Sequence, residues 1–282
     1  MLPEYRPVHP ACATPSVHDW EVFREWAARE GWRVPEQELA LYRKELADSA
    51  FVLRDGDDPL GFVTVCRQQQ SAWIGNLLVD AAQRGKGFGR RLFEHAVEVL
   101  SVRGVATLWL TASADGRLLY ERYGFCEAGR VERWVWSGIG HVRETTDLAG
   151  NGRLCALVQA DAAAWGDSRA GLLMLLARGG QIFSAGSTLA LLQPGESLQV
   201  LGPWVSADLC PRSNRTVLNM VLQAFAGTGE IAVDVVGETP VRLLLHAAGF
   251  RRTGETVLMM RGEAGTAKLG KVVALASLGS MG

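Results

Sequence analysis

Apolar positions recur at helical spacing near the start of this 282-residue chain. Trp20, Phe23, Trp26 and Ala27 stand at i, i+3, i+6 and i+7 of the stretch from Asp19 to Arg29, and Gly31 stops the pattern. A second amphipathic stretch follows Pro35, with Leu39, Tyr42 and Leu46 on one side. The period then changes. Ala50 to Arg54 and Leu60 to Cys66 are apolar runs flanking the turn Asp55-Gly56-Asp57-Asp58-Pro59, which predicts a hairpin. Ala72 to Val79 predicts a third strand that runs into a glycine-rich segment, and helical spacing returns from Arg91 to Leu100. Ala106 to Thr111 reads as a strand, Gly116 to Tyr123 as a short helix ended by Gly124, and Val131 to Trp136 as a further strand. Strands interleaved with helices in this order indicate a mixed α/β (α+β) fold.

The chain also resembles itself. A shift of 125 residues superposes the run Leu118 to Phe125 on Leu243 to Phe250, and the strand Leu108 to Thr111 on Val233 to Val236. Between the copies, residues 138 to 152 are polar and hold Gly138, Gly140, Gly150 and Gly152, which predicts domains at 1–140 and 152–282. The same shift puts Arg84, Gly85, Gly87 and Gly89 on Leu209, Cys210, Arg212 and Asn214, and Tyr120 on Leu245. The back half is thus expected to be a degenerate copy that lacks any chemistry those residues carry.

Hydrophobic residues make up 48% and charged residues 21%, values of soluble globular proteins and enough for two cores. Lys+Arg 29 against Asp+Glu 30 leaves a net charge of -1, which provides no general field for nucleic acid or a membrane surface. An anion must be held locally. The five cysteines, Cys12, Cys66, Cys126, Cys155 and Cys210, form no CxxC pair and have no His-rich partner segment, so no metal is expected. They read as reduced thiols of a cytoplasmic protein, with Cys126 buried behind Gly124-Phe125. The first residues lack the apolar core of a secretory signal. The longest apolar run, Gly171 to Ala177, is far short of the roughly 20 residues that cross a bilayer.

Gly85, Gly87 and Gly89 alternate between a strand end and a helix start, where uncovered backbone N–H groups and the helix dipole bind phosphate. A dinucleotide fingerprint would need glycine where Arg90 stands, and a Walker loop would need one where Asp80 stands. Arg84, Lys86, Arg90 and Arg91 crowd this helix start. The dipole disfavours each cation there by about 0.3 to 1 kcal/mol, a penalty that a bound polyphosphate reverses. A solvated basic turn is the alternative reading of the same residues.

On these residues the chain resembles the GCN5-related N-acetyltransferase (GNAT) family. The family pattern Gln/Arg-x-x-Gly-x-Gly/Ala is met by Arg84-Gly85-Lys86-Gly87-Phe88-Gly89, behind the strand Ile74 to Asp80. The family's tyrosine shortly before Gly-Phe is matched by Tyr120 in the segment Leu119 to Phe125. The resemblance covers about residues 5 to 138, and the back half looks like the degenerate acetyltransferase-like domain of tandem members. It implies a mixed, mostly antiparallel sheet flanked by helices, followed by a second, smaller GNAT-like domain. It implies acetyl-CoA as cosubstrate, without a metal, and an acceptor that presents a primary amine. Arg84, Gly85, Lys86, Gly87, Phe88, Gly89 and Arg90 would hold the pyrophosphate, and the edge of Leu77, Leu78 and Val79 would pair with the pantetheine amides. Ser113 would touch the cofactor in place of the family's asparagine, and Tyr120 would be the general acid.

The implied activity is N-acetyl transfer by direct attack in a ternary complex; the alternative is a catalytically inactive CoA-binding regulatory or scaffold module. A phenol of pKa about 10 can protonate a CoA thiolate and still be protonated near neutrality. Gly75 stands where many relatives carry a glutamate base. Glu21, Glu25 and Asp115 read as solvated charges and His141 lies in the linker, so the base is unassigned. Trp20, Trp26, Trp32 and Trp73 belong to segments that wall the acceptor pocket in the family, most of them as core and one or two facing the acceptor. The back half is expected to shape the acceptor side without forming a second active site.

Overall fold

The computed structural model describes residues 10–140, 151–225, 227–263, 265 and 267–282; His141 and most of the expected linker lie outside the described residues. The front half runs β1 (Ala11–Ala13), α1 (Val17–Arg29), α2 (Glu36–Arg43), β2 (Ala50–Asp55), β3 (Asp58–Arg67), β4 (Ser71–Val79), α3 (Phe88–Val102), β5 (Thr107–Ala112), α4 (Ala114–Glu121) and β6 (Cys126–Gly140). The back half runs α5 (Asn151–Trp165), α6 (Ala170–Leu176), β7 (Gln181–Ala185), β8 (Thr188–Leu192), β9 (Leu198–Ser206), α7 (Pro211–Ala224), β10 (Gly227–Val236), α8 (Val241–Ala247), β11 (Arg251–Arg261) and β12 (Val272–Ala274). Every front-half element expected from periodicity is present, and β6 is longer at both ends than the stretch Val131 to Trp136.

Local chemistry sets the helix starts. Ser16 caps α1 in a reciprocal box with Asp19, whose buried carboxylate also pairs with Arg54 of β2. Pro35, extended and without an N–H, precedes the first turn of α2. Ser113 caps α4 by accepting from the N–H of Gly116.

All strands join one sheet in the order β1-β2-β3-β4-β5-β11-β6-β10-β12-β9-β8-β7. The halves exchange strands at its centre. β11 lies antiparallel between β5 and β6, and β6 pairs in turn with β10 from Val131 opposite Val236 to Gly140 opposite Gly227. The seam is pinned by Arg133, which donates to both carboxylate oxygens of Asp234 at 2.8 and 2.7 Å across that register.

Two pairs of strands run parallel and then part. β4 and β5 are paired only from Ser71 opposite Thr107 to Trp73 opposite Trp109, and β9 and β10 only from Leu198 opposite Glu230 to Val200 opposite Ala232. In the back half β12 fills the opening, since Val235 pairs with Ala274 and β12 also pairs with β9. In the front half the opening widens beyond Gly75. There the register of β3 and β4 shifts between Phe62 and Thr64, and Asn76 takes a left-handed φ of 50°.

The core is continuous across the halves. Trp165 at the end of α5 packs on Trp73 and Trp109 of the front half, with ring centroids 6.1 and 5.0 Å apart. Residues 275–281 continue from β12 into the same interior, where Ala276, Ser277, Ser280 and Met281 are buried. Trp73 donates to the carbonyl of Gly279 at 3.0 Å, Tyr42 to that of Ser280 at 3.2 Å and Arg133 to that of Leu278 at 2.8 Å.

Candidate active site

Two cavities flank the free stretch of β4. The first, of about 140 Å³, is lined by Val79, Arg84, Gly85, Gly87, Phe88 and Gly89. The second, of about 150 Å³, opens where β4 and β5 part and is lined by Leu77 and Ser113 together with Glu38, Tyr120, Arg133 and Gly279. Of the residues expected to bind cofactor, Val79, Arg84, Gly85, Gly87, Phe88 and Gly89 line the first cavity and Leu77 and Ser113 the second, with Tyr120, while Leu78, Lys86 and Arg90 line neither.

At the first cavity Gly85 and Gly87 have φ values of 79° and 86°, a backbone that a Cβ strains. Gly87 begins α3, and no side chain of the described residues caps that helix, so its first N–H groups are left for a ligand. The first turn of α3 carries no acidic residue. Arg84 turns back to Glu30 at 2.5 Å and to the carbonyl of Val79 at 3.3 Å, Lys86 donates to Gln83 at 2.8 Å, and Arg90 lies 3.9 Å from Glu94. These are exposed contacts of small worth, which an anion can displace.

At the second cavity Tyr120 is buried against Phe93 and Phe125, with ring centroids 5.0 and 6.2 Å away. Burial alone pushes its phenol up to about 12. A Cβ on Gly116 would stand 3.1 Å from the Tyr120 ring, a tight contact to which the ring would have to yield by a few tenths of an ångström. Ser113 is exposed, and its hydroxyl already accepts the capping bond.

Gly75 is explained by crowding. A Cβ there would lie 2.5 Å from the carbonyl oxygen of Ser280, so residues 275–281 leave no room for a side chain. Nearby stands a residue the sequence reading passed over. Glu38, on α2, is buried, lines the second cavity and accepts from the Asn76 amide at 3.3 Å. Burial raises its carboxyl, while Ser280, Asn76 and Arg133 pull it back. The signal was its place four residues before Tyr42, on the apolar face of the helix.

Other expectations divide. Glu21, Glu25 and Asp115 are exposed, as read. Of the four tryptophans only Trp32 faces the second cavity; Trp20 and Trp73 are core, and Trp26 packs on Phe62. Cys126 is exposed and not buried, because it opens β6 just beyond the turn after α4. Among the described residues no group of three or more His, Cys, Asp or Glu is arranged to hold a metal, and no helix is long and apolar enough to cross a membrane.

The Acetyltransferase (GNAT) family model matches residues 18–125. Over 60 residues the chain is 45% identical to ribosomal protein bS18-alanine N-acetyltransferase of Escherichia coli (strain K12), a match spanning 20% of this chain and 40% of that protein. Over 98 residues it is 29% identical to N-alpha-acetyltransferase 30 of Schizosaccharomyces pombe, spanning 32% of this chain and 65% of the relative. Among solved structures, a Pyrococcus horikoshii protein described as an acetyltransferase superposes over 97% of this chain and 96% of its own, with a TM-score of 0.77 at 19% identity. A tandem GNAT protein from the clavulanic acid biosynthesis pathway covers 91% of this chain and 99% of its own, with a TM-score of 0.58 at 16% identity. At those identities the likeness concerns the fold. The glycine-lined start of α3 and the parted strands β4 and β5 lie within the matched stretch: the chain carries a GNAT domain match over residues 18–125 and two GNAT-like regions in tandem.

Proposed function

We propose that the chain moves the acetyl group of acetyl-CoA to the primary amine of an acceptor, by direct attack in a ternary complex. One observation carries this reading: the free stretch of β4 joins a glycine-lined helix start to a cavity holding Tyr120. Acetyl-CoA fits that path by its chemistry, since a diphosphate suits the open N–H groups of α3 and two amides suit a strand edge. When bound, it supplies a thioester whose C–S bond breaks as the amine's lone pair forms the new C–N bond.

The chain's own residues do the rest. Arg84 exchanges Glu30 for phosphate, and Lys86 and Arg90 add charge from the rim. Leu77, Leu78 and Val79 offer their edge and hold the pantetheine arm straight, and Ser113 stands at the mouth of the cavity. Tyr120 keeps its proton at neutral pH and offers it to sulphur, and the proton that the acylated nitrogen releases replaces it. Among the described residues no cysteine lines the cavity, which supports attack by the acceptor itself over a covalent acetyl-enzyme.

The back half has no matching path among the described residues. β12 closes its strand opening, and Asn214, at the place of Gly89, fills the loop by bonding Trp204 at 2.9 Å and Ser206 at 3.1 Å. One CoA per chain is therefore the expected calorimetric stoichiometry.

Gly87→Glu sets a side chain and a negative charge against the diphosphate, so CoA should bind at least 100-fold more weakly, on the order of 3 kcal/mol. Tyr120→Phe should bind CoA within about twofold of wild type and lose roughly 100-fold in kcat by a thiol-release assay. Both curated relatives are named for acting at an alanine or alpha amine, so an alanyl peptide heads the acceptor panel. Unchanged CoA affinity in Gly87→Glu would refute the placement. A wild type that binds CoA and releases no thiol with any amine would instead support the inactive binding module.

A further inference from the structure

We propose that Glu38 is the group that takes the proton from the acceptor's ammonium, an inference that rests on the transfer reading above. A primary amine of pKa about 10 is almost wholly protonated at neutral pH and cannot attack until it gives up a proton. The family's strand position for a base is blocked, because the carbonyl of Ser280 would lie 2.5 Å from any Cβ on Gly75. The same crossing of residues 278–280 brings Glu38 to the cavity wall, beside Asn76 and in the cavity that holds Tyr120.

A carboxylate that is only 5% exposed is costly unless a cation answers it. Among the described residues none forms an ion pair with Glu38. Arg133, whose charge acts on Glu38, is already committed to both oxygens of Asp234 and to the carbonyl of Leu278. The other groups facing Glu38 are Tyr42 on its own helix, Cys66 on β3 and Ser280. Tyr42 and Cys66 both hold their protons, the Cys66 thiol being pushed up to about 12, so neither competes for the acceptor's proton. Arg33 also lines the cavity but is paired with Glu230 at 2.8 Å. An incoming ammonium would give Glu38 the direct cationic partner that the described residues do not supply.

The step balances simply. Glu38 takes one proton and leaves the nitrogen lone pair free for the C–N bond, and the C–S bond breaks with its electron pair on sulphur. The nitrogen's second proton replaces the one that Tyr120 delivers to the thiolate, and the proton on Glu38 passes to solvent as the cycle closes.

The test compares the full-length wild type with Glu38→Gln and Glu38→Asp, using acetyl-CoA with an alanyl peptide, propylamine and lysine as acceptors from pH 6 to 10. Calorimetric CoA affinity should stay within about twofold in all three, which separates a chemical role from a folding defect. Glu38→Gln should lose roughly 100-fold in kcat at pH 7, and its rate should climb about tenfold per pH unit towards the amine's own pKa. Wild type should level off at lower pH, with Glu38→Asp between them. An infrared titration without acceptor should show a carboxyl band that disappears above the ordinary carboxylate range in wild type and is missing from Glu38→Gln. A Glu38→Gln profile parallel to wild type, a loss under threefold, or no such band overturns the proposal while leaving acetyl transfer intact. A wild type that binds CoA but acetylates none of the three amines overturns the transfer reading, and this inference with it.

Discussion

Tyr120 holds its proton more firmly than a phenol in water, because its ring is enclosed by Phe93, Phe125 and the turn at Gly116, where a phenolate would find no solvation. In the proposed transfer it would act as a hydrogen-bond donor to charge growing on sulphur, and complete transfer of the proton would wait for that charge. The same burial has a consequence for stability. The unfolded phenol titrates near 10 and the folded one near 12, so this contribution is fully present below pH 10 and is lost as pH rises through 12. The loss amounts to roughly 2 to 3 kcal/mol. Tyr120→Phe should therefore gain on wild type in urea midpoint between pH 9 and 11, whatever its deficit at pH 7; parallel midpoints would show that the ring is not enclosed in solution. The glycines at 85, 87 and 89 were legible in the sequence by residue type and spacing, and Tyr120 was singled out by the family resemblance of the segment Leu119 to Phe125. Glu38 was not. Its burial depends on residues 278–280, some 240 positions away, and helical spacing marks only that a carboxylate stands on an apolar face.

At the scale of elements, α5 and α6 matter more to the front half than their position in the chain suggests. Trp165 bonds Gln68 at 3.0 Å, and Asp167 accepts from the backbone N–H groups of Gln70 and Ser71, so this junction grips the turn between β3 and β4. Arg169 stacks 4.6 Å over Trp165 and forms a doubled ion pair with Asp161 at 2.8 Å, both side chains almost without solvent contact. Removing one partner strands a buried charge, and Asp161→Asn should cost about 3 to 5 kcal/mol in a denaturant titration. The double replacement Asp161→Leu with Arg169→Met should cost markedly less, since no charge is then left unanswered. Equal losses in the two would mean that the pair is dispensable as a pair. Strand and helix positions here follow from hydrophobic period, so β2, β3, β4 and α3 were readable to within a few residues. The ends of β6 were not, because a strand flanked by partners on both sides extends into polar sequence that periodicity assigns to a loop.

For the whole molecule, the internal repeat was visible in the sequence but its consequence was not. Two copies of one fold could sit side by side as separate sheets, and alternating side chains do not say which strand lies next to which. Here β11 of the back half takes the place between β5 and β6, while β6 crosses to pair with β10. Both neighbours of the 15-residue β6 therefore belong to the back half, and so do Thr256, Leu278 and Gly279 on the wall of the second cavity. The segment 1–140 alone should bare β6, with Trp134 and Trp136, together with the edge of β5, a surface that promotes aggregation. Expressed by itself it should elute from gel filtration as aggregate or oligomer and bind CoA poorly. Co-expressed with 152–282, it should recover as a 1:1 complex that binds one CoA. A monomeric 1–140 segment with wild-type CoA affinity would mean that the exchanged strands are not needed to build the site, and that the front half can close its own sheet.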